Sequence, residues 1–335
     1  VWGTHGNRKI WPDIKPVSRH GAEIKIKAAR NEWEPLQIVV MGHSNLSGVT
    51  ISASELSSSD GDLILPATIY REHYLPVTST ANAEHGHLGM VPDGLVPLVH
   101  PVTGKATGGK YGGNEFDIDA GNMEVFWLDN YVAVDVKPGV YRGFVTVAAE
   151  GLDEVSLPVE LEVFDFVLSS PKHLLAAFQL SSGKVRKSHP GLESTVDRRR
   201  KQADLAHNYE EMMHNHYINN WSPITGFNYG LNGVKVSVED GRVSVDWSDF
   251  DKLVEPYMNG SAYNDNVPAQ SLFVPYWIPV KNKKGDGWAR RVNKQNYQNI
   301  DLDLFGQYVE EVENHMVNKG WIDRAYVFYF DEPFI

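Results

Sequence analysis

The sequence contains no cysteine. Disulfide stapling, thiolate nucleophiles and cysteine-ligated zinc or iron–sulfur centres are thereby excluded. The compartment stays open on that ground, since exported bacterial proteins often lack cysteine too. Long apolar runs are also missing, and no stretch approaches the roughly 18–20 residues of a membrane-spanning helix. Positive charge is in deficit, with Lys+Arg 31 against Asp+Glu 43 and a net charge of -12. That balance argues against nucleic acid or an anionic membrane surface as partner and leaves a neutral ligand open. An initiating methionine and an apolar leader are absent, and the start at Val1 reads as a processed product. The expectation is a bacterial protein whose signal peptide has been removed, secreted or held in the periplasm or at the cell surface. A metal motif is lacking as well. Glu84, His85 and His87 lie close together in a glycine-rich stretch, but their spacing matches no defined zinc pattern. They read as solvated loop residues, and neither a metal nor a cofactor is expected.

What is present is an ordinary globular balance, with 42% hydrophobic and 22% charged residues over 335 positions. That length leads to two domains, each able to bury a sizeable core. Aromatic residues make up 11%, with nine tryptophans. Flat rings stack on sugar faces and also fill large cores, so the count alone decides nothing.

Residues 1–168 read as an antiparallel β-sandwich. Short runs of alternating or continuous apolar residues recur between turn signals: Ala22–Lys27, Pro35–Val40, Val49–Ala53, Ala67–Arg71, Glu124–Asp129, Tyr131–Val134, Tyr141–Val147 and Ser156–Val163. The segment from about 80 to 120 breaks the pattern with many glycines and prolines and reads as a long excursion from the sandwich.

From residue 169 onward the pattern changes. Leu174–Gln179 reads as a buried strand, and 198–214 as a helix with Leu205, Tyr209, Met212 and Met213 inward. A strand at Tyr217–Trp221 follows, then a hairpin around Asp240-Gly241 and a helix over 249–258. A strand at Ser271–Ile278, a helix over 302–319 with Leu304, Tyr308, Val312 and Met316 at i, i+4 spacing and ended by Gly320, and a strand at Tyr326–Phe330 complete the series. Strand and helix alternate, which implies parallel strands joined by right-handed crossovers. Four such strands behind a sandwich predict a (β/α)8 barrel of the TIM type, and a complete one takes about 250 residues. The expectation is therefore that residues 169–335 are the first half of a barrel, strands 1–4. Its open edges would be covered by the other half or by a second copy.

The last strand runs into Asp331-Glu332-Pro333. Two carboxylates at the end of an apolar strand are costly if desolvated. An isolated Asp-Glu-Pro is otherwise a surface turn or a helix N-cap. Here it follows a fourth β-α strand, at the end where such barrels carry their chemistry. The equivalent ends carry Gln179, then Asn219, Asn220 and Trp221, then Tyr276 and Trp277, with Trp288 in the loop beyond. Amides that read hydroxyls, rings that stack on sugars and carboxylates that handle protons are the parts of a carbohydrate pocket. Asp331 and Glu332 are the catalytic candidates, and the amides and aromatics are the substrate-binding ones. Glycosidases commonly work with two carboxyl groups. An adjacent pair suits a substrate-assisted route better than a pair flanking a bond, because neighbours on a strand point to opposite faces.

The run Ala29-Arg30-Asn31-Glu32-Trp33-Glu34, the stretch Lys137–Val147 beginning Lys-Pro-Gly-Val-Tyr-Arg-Gly, and Asn318-Lys319-Gly320-Trp321 before Tyr329-Phe330-Asp331-Glu332-Pro333 resemble glycoside hydrolase family 123. That resemblance implies an N-terminal β-sandwich and a catalytic (β/α)8 barrel. It implies a retaining β-N-acetylgalactosaminidase using the substrate's own acetamido group, Asp331 orienting that group and Glu332 serving as acid/base. Two alternatives stand beside it: a glycosidase on a sugar without an acetamido group, and a non-catalytic carbohydrate-binding protein.

Overall fold

A computed structural model of the chain describes residues 1–80, 86–100, 104–108, 115–171, 174–175, 178, 180, 198–220, 234–275, 277–281, 287–289 and 297–327. The chain divides into two compact units, Val1–Ser169 and Ser170–Ile335.

The first unit is built of β1 (Trp2–His5), β2 (Ile24–Arg30), β3 (Glu32–Met41), β4 (Leu46–Ala53), β5 (Leu56–Ser57), β6 (Leu63–Ile64), β7 (Thr68–Val77), β8 (Gly89–Pro97), β9 (Phe116–Ile118), β10 (Met123–Val132), β11 (Gly139–Ala148) and β12 (Val155–Val167). One sheet runs β1-β3-β10-β7-β8 and the other β2-β12-β11-β4-β9, with the β5–β6 pair beside β11. The pairings are antiparallel except that β12 lies parallel to β2. Alternation along each strand sends one set of side chains between the sheets. Ile24, Ile26 and Ala28 meet Leu36, Ile38 and Val40 there, with Phe126, Leu128, Tyr141, Val145, Leu157, Val159 and Leu161. The continuous apolar run in β3 has its own reason. On the other face of that sheet Val39 and Val125 are covered by Trp2 and Ile10. The covering segment is held by Gln37, whose Nε2 donates to the carbonyls of His5, Gly6 and Arg8 at 3.0, 3.2 and 2.7 Å.

Two differences from the sequence reading stand out. The glycine-rich excursion contains β8, which pairs with β7 at the edge of the first sheet. An edge strand leaves one side unpaired, so Pro92 and Pro97 are tolerated in it. The two runs around Glu124 and Tyr131 are one strand, β10, paired with β3 along its whole length.

The turn between β2 and β3 binds the end of the sandwich together. Asn31 takes a left-handed backbone, φ 63°, which asparagine tolerates better than most residues. Its N–H donates to Val132 O at 2.6 Å, its side-chain amide donates to Leu168 O at 3.0 Å, and its Oδ1 accepts from the Tyr131 hydroxyl at 3.0 Å. Early in β3 lies Glu34, whose carboxyl is pushed up to about 7 by burial and by neighbouring Glu32. On β11, Tyr141 donates its hydroxyl to Lys137 O at 2.9 Å. Two residues on, a Cβ at Gly143 would meet Glu55 O and Ser54 Oγ, both at 2.6 Å. The glycine lets the β5 segment cross close to the strand.

The second unit contains α1 (Arg198–Asn215), β13 (Lys235–Glu239), β14 (Arg242–Asp246), α2 (Ser248–Met258), β15 (Leu272–Phe273), β16 (Ile278–Val280), β17 (Gly287–Ala289), α3 (Leu302–Asn318) and β18 (Ala325–Tyr326). Phe178 and Asn220 form a parallel bridge. Further along, β15 lies parallel to β18, with Leu272 opposite Ala325 and Phe273 opposite Tyr326. Ala206, Phe250, Val254, Tyr257, Met258, Leu272, Val274, Met316 and Trp321 form the core between helices and strand. Helix α3 is capped by Asp301, which accepts from Leu304 N–H at 3.2 Å. It ends at Gly320 with φ 67°, the glycine-favouring C-terminal arrangement. No helix among the described residues is long and apolar enough to cross a membrane.

Three local expectations are corrected here. The strand read over 271–278 is interrupted near Pro275, which cannot donate to a ladder, and the chain resumes as β16, paired antiparallel with β17. Leu174, Leu175 and Phe178, read as buried, are exposed, because among the described residues Phe178 is paired on one side alone. Helix α1 turns Ala206, Glu210, Met213 and His214 inward and leaves Met212 exposed. Leu205 and Tyr209 pack against the core and Met213 is buried, as read, so the difference lies in Met212 and in the added polar pair Glu210 and His214.

Two outcomes follow. Gly143→Val forces Cβ against a backbone carbonyl, and the sandwich should lose about 1–3 kcal/mol in chemical denaturation. An unchanged midpoint would contradict the close crossing. For Glu34, the folded pKa of about 7 exceeds the ordinary 4.5. The unfolded chain therefore ionises first as pH rises, and stability present below the lower value is lost through the upper one. Glu34→Gln should flatten the denaturation midpoint across that window relative to wild type.

Candidate functional site

The second unit's polar centre is assembled at the C-terminal end of α1. The helix closes on Tyr217, which holds φ 59°, a left-handed position usually given to glycine and strained for a ring-bearing residue. Ile218 N–H then donates to Met213 O at 2.9 Å, and the chain enters Asn219-Asn220. The Asn220 amide donates to the Glu210 carboxylate one helical turn from the end of α1. Its Oδ1 accepts from Leu180 N–H at 3.3 Å, and its backbone carbonyl accepts from the Ser271 hydroxyl at 2.9 Å. Phe178 N–H donates to Asn219 O at 3.1 Å. One residue thus ties the first strand segment, the helix after it, and the residue preceding β15.

Beside this knot His214 is 7% exposed. Its Nε2 lies 3.0 Å from both carboxylate oxygens of Asp265, and its ring lies flat on Tyr263 at 3.8 Å and 8°. Burial, and then the Glu210 charge, push the Tyr257 and Tyr263 hydroxyls well above the ordinary phenol range. The Asn219 amide nitrogen is buried without a hydrogen-bond partner. It borders a cavity of about 10 Å³ lined also by Glu210, His214, Tyr263 and Ser271, room for about one water. This cluster orders the backbone, and its cavity is far too small for a sugar.

The parallel strands carry the remaining candidates. Leu272 and Val274 belong to the core against the helices. Phe273 lies between them in sequence and so faces the other way. Its ring meets Tyr326 edge-on at 5.7 Å and 63°. Burial pushes the Tyr326 hydroxyl up to about 12. Trp277 is half-buried after β15. Trp288, on β17 opposite Pro279, has its ring 5.4 Å from that of Tyr308, and Tyr308 donates to Pro275 O at 2.8 Å. Trp288 is therefore packed on α3.

Of the residues expected from sequence, the structure brings Asn219 and Asn220 together and engages Asn220 in structural bonds. Trp277 and Trp288 belong to the β15–β17 region. Gln179, Trp221, Tyr276, Asp331 and Glu332 lie outside the described residues, as do Glu84 and His85. His87 stacks on Trp11 at 3.8 Å. Among the described residues no group of three histidines and carboxylates could hold a metal. Sequence reasoning missed Glu210, His214, Tyr263 and Asp265. The signal available was the i, i+4 pair Glu210 and His214 on one helix face, masked by the more conspicuous methionines.

Because paired parallel strands point the same way, Val274 and Val327 follow β15 and β18 in the same sense. The chain beyond β18 leads in sequence to Asp331-Glu332. Strand ends of this kind gather polar groups from separate segments into one mouth.

No family model matches the chain, and no curated protein matches it either. Among solved structures, a family 123 glycoside hydrolase from Clostridium perfringens, studied for glycolipid glycan hydrolysis, aligns over 91% of this chain at 17% identity with a TM-score of 0.57. The present chain covers 53% of that one, about half its length. The likeness is one of fold. MyfA, the major subunit of Myf fimbriae from Yersinia enterocolitica, seen with galactose, aligns over 42% of this chain and 90% of its own at 14% identity, TM-score 0.22. A Bacteroides ovatus family 5 xyloglucanase bound to a heptasaccharide aligns over 91% of this chain and 42% of its own at 10% identity, TM-score 0.20. Those two scores lie below the level of a shared fold.

The Asn220 knot yields a stability test. Glu210→Gln keeps an acceptor for the Asn220 amide and should cost little. Asn220→Leu strands the buried Glu210 carboxylate and the Leu180 N–H and should cost about 1–3 kcal/mol in urea denaturation. Equal costs for the two variants would refute the bonding pattern.

Proposed function

We propose that the chain is the β-sandwich and the first half of the (β/α)8 barrel of an exported bacterial glycoside hydrolase. Its substrate is a β-linked N-acetylhexosamine, specifically N-acetylgalactosamine, at the end of or within a glycan. The observation that carries the reading is the parallel pairing of β18 with β15, since the strand beginning at Ala325 continues in sequence into Asp331-Glu332. The fold likeness to a family 123 enzyme over 91% of the chain supports it.

In this reading the acetamido oxygen of the substrate attacks the anomeric carbon as the glycosidic bond breaks. Glu332 gives its proton to the departing oxygen. Asp331 accepts a hydrogen bond from the acetamido N–H and balances the positive charge that forms on the bicyclic oxazolinium intermediate. Glu332, now ionised, takes a proton from water as that water adds to the anomeric carbon, and two inversions give net retention. A general acid of this type works best with its pKa near the operating pH. Amides and aromatic faces from the other strand ends, Gln179, Trp221, Tyr276 and Trp277, hold the sugar.

The test uses the intact protein. Glu332→Gln should lower kcat on an aryl β-N-acetylgalactosaminide by about 10²–10⁴-fold while a thiazoline analogue of the sugar still binds. Aryl β-galactoside, which has no acetamido group, should not be cleaved. Wild-type turnover in Glu332→Gln would end the assignment, and comparable cleavage of both aryl glycosides would exclude substrate assistance.

A further inference from the structure

The sandwich contains a second polar cavity, built entirely within the first unit. It measures about 410 Å³ and is lined by Pro12, Arg71, Glu72, His73, Tyr74, Met90, Gly121, Asn122, Met123 and Glu124. That size falls in the range of small-ligand pockets. Its walls are fixed beforehand. Tyr74 donates its hydroxyl to Ile10 O at 2.6 Å, which seats the loop carrying Pro12. Trp11 in that loop stacks on His87 at 3.8 Å. On the opposite wall Asn122 is held through its backbone, accepting from Gly42 N–H at 3.1 Å and donating to Asp119 O at 3.0 Å. Pre-organisation of this kind lowers the entropic cost of binding.

The polar groups define what the cavity takes. Arg71 is engaged by Glu124 through two bonds, Nε at 2.8 Å and Nη2 at 2.6 Å, and its face lies 4.9 Å from the Phe116 ring. The cation of the cavity is thereby neutralised, which disfavours an anionic ligand. Glu72 lines the cavity, and burial pushes its carboxyl up to about 7, opposed by the nearby Lys9 ammonium. Lys9 disfavours a cationic ligand at the same place. His73 and Tyr74 are the other titratable side chains on the walls. What the cavity offers is an acceptor or neutral carboxyl at Glu72, the amide of Asn122 at the mouth, and an apolar surface of Tyr74, Met90 and Pro12. Uncharged hydroxyl groups on a compact ring satisfy such a lining. They donate to Glu72, exchange bonds with Asn122, and lay their C–H face on the tyrosine and methionine.

We propose that this cavity is a saccharide-binding subsite of the sandwich, taking a neutral hydroxylated ring between Glu72 and Asn122 on one side and Tyr74, Met90 and Pro12 on the other. The proposal does not depend on the catalytic reading, because none of its residues belongs to the second unit.

The experiment is saturation-transfer NMR and titration of the full chain with galactose, glucose and N-acetylgalactosamine. Inorganic phosphate and spermidine serve as charged probes. The expected result is saturable sugar binding with millimolar Kd. It should weaken at least about tenfold in Glu72→Ala and in Asn122→Trp, which fills the mouth from an exposed position, and persist in Glu332→Gln. If Glu72→Ala fails to fold, Glu72→Gln and Asn122→Trp decide. Absence of saturable sugar binding, or binding that survives Asn122→Trp, overturns the subsite. Preferential binding of phosphate or spermidine overturns the assigned ligand class.

Discussion

The second unit depends on one buried side chain. Asn220 stands where the first strand segment, the helix after it and the segment leading into β15 converge, and it bonds to all three. Among the described residues the first two strand segments are joined by a bridge from Phe178 to Asn220. The order of the segments is held by an amide that spends both ends and by a backbone carbonyl that accepts a hydroxyl. Glu210 makes this arrangement compulsory. A carboxylate that is 3% exposed is costly without a donor, and Asn220 supplies one. The helix cannot slide or rotate by a residue without breaking that bond. The left-handed Tyr217 is the local strain that the network holds in place.

The alternation of β15 then separates two functions on a short strand. Leu272 and Val274 lock it to the helices, while Phe273 turns to Tyr326. Parallel pairing gives the strand ends a common direction, so groups that follow them converge without any one loop having to reach across.

Much of this was legible in the sequence because it follows from period. The alternation in β2, β11 and β12 gave the sandwich core, and the i, i+4 spacing of Tyr308, Val312 and Met316 gave the face of α3. Three features were not legible, each for a physical reason. Strand β8 is hidden by its prolines and glycines, which an edge tolerates and an interior strand does not. The inward face of α1 is hidden because Glu210 and His214 look solvent-seeking until their partners, over fifty positions away for Asp265, are known. The role of Asn220 is hidden because an asparagine at a strand end reads equally as a sugar ligand or as a structural bond. Only the position of Glu210 distinguishes the two.

Desolvated carboxyls recur across the chain, and the partner decides what each one does. Glu210 has a donor and becomes structural. Glu124 has Arg71 and becomes a wall. Glu34 has Glu32 beside it and keeps its proton to about 7. Glu72 lines a cavity large enough for a ring, and burial keeps its proton to about 7. In the proposed reaction Asp331 and Glu332 face the same requirement. Two neighbouring carboxyls in a desolvated pocket cannot both ionise cheaply, so in that reading one holds a proton while the other stays charged. A proton donor beside a charged hydrogen-bond acceptor is the pairing that hydrolysis assisted by an acetamido group requires.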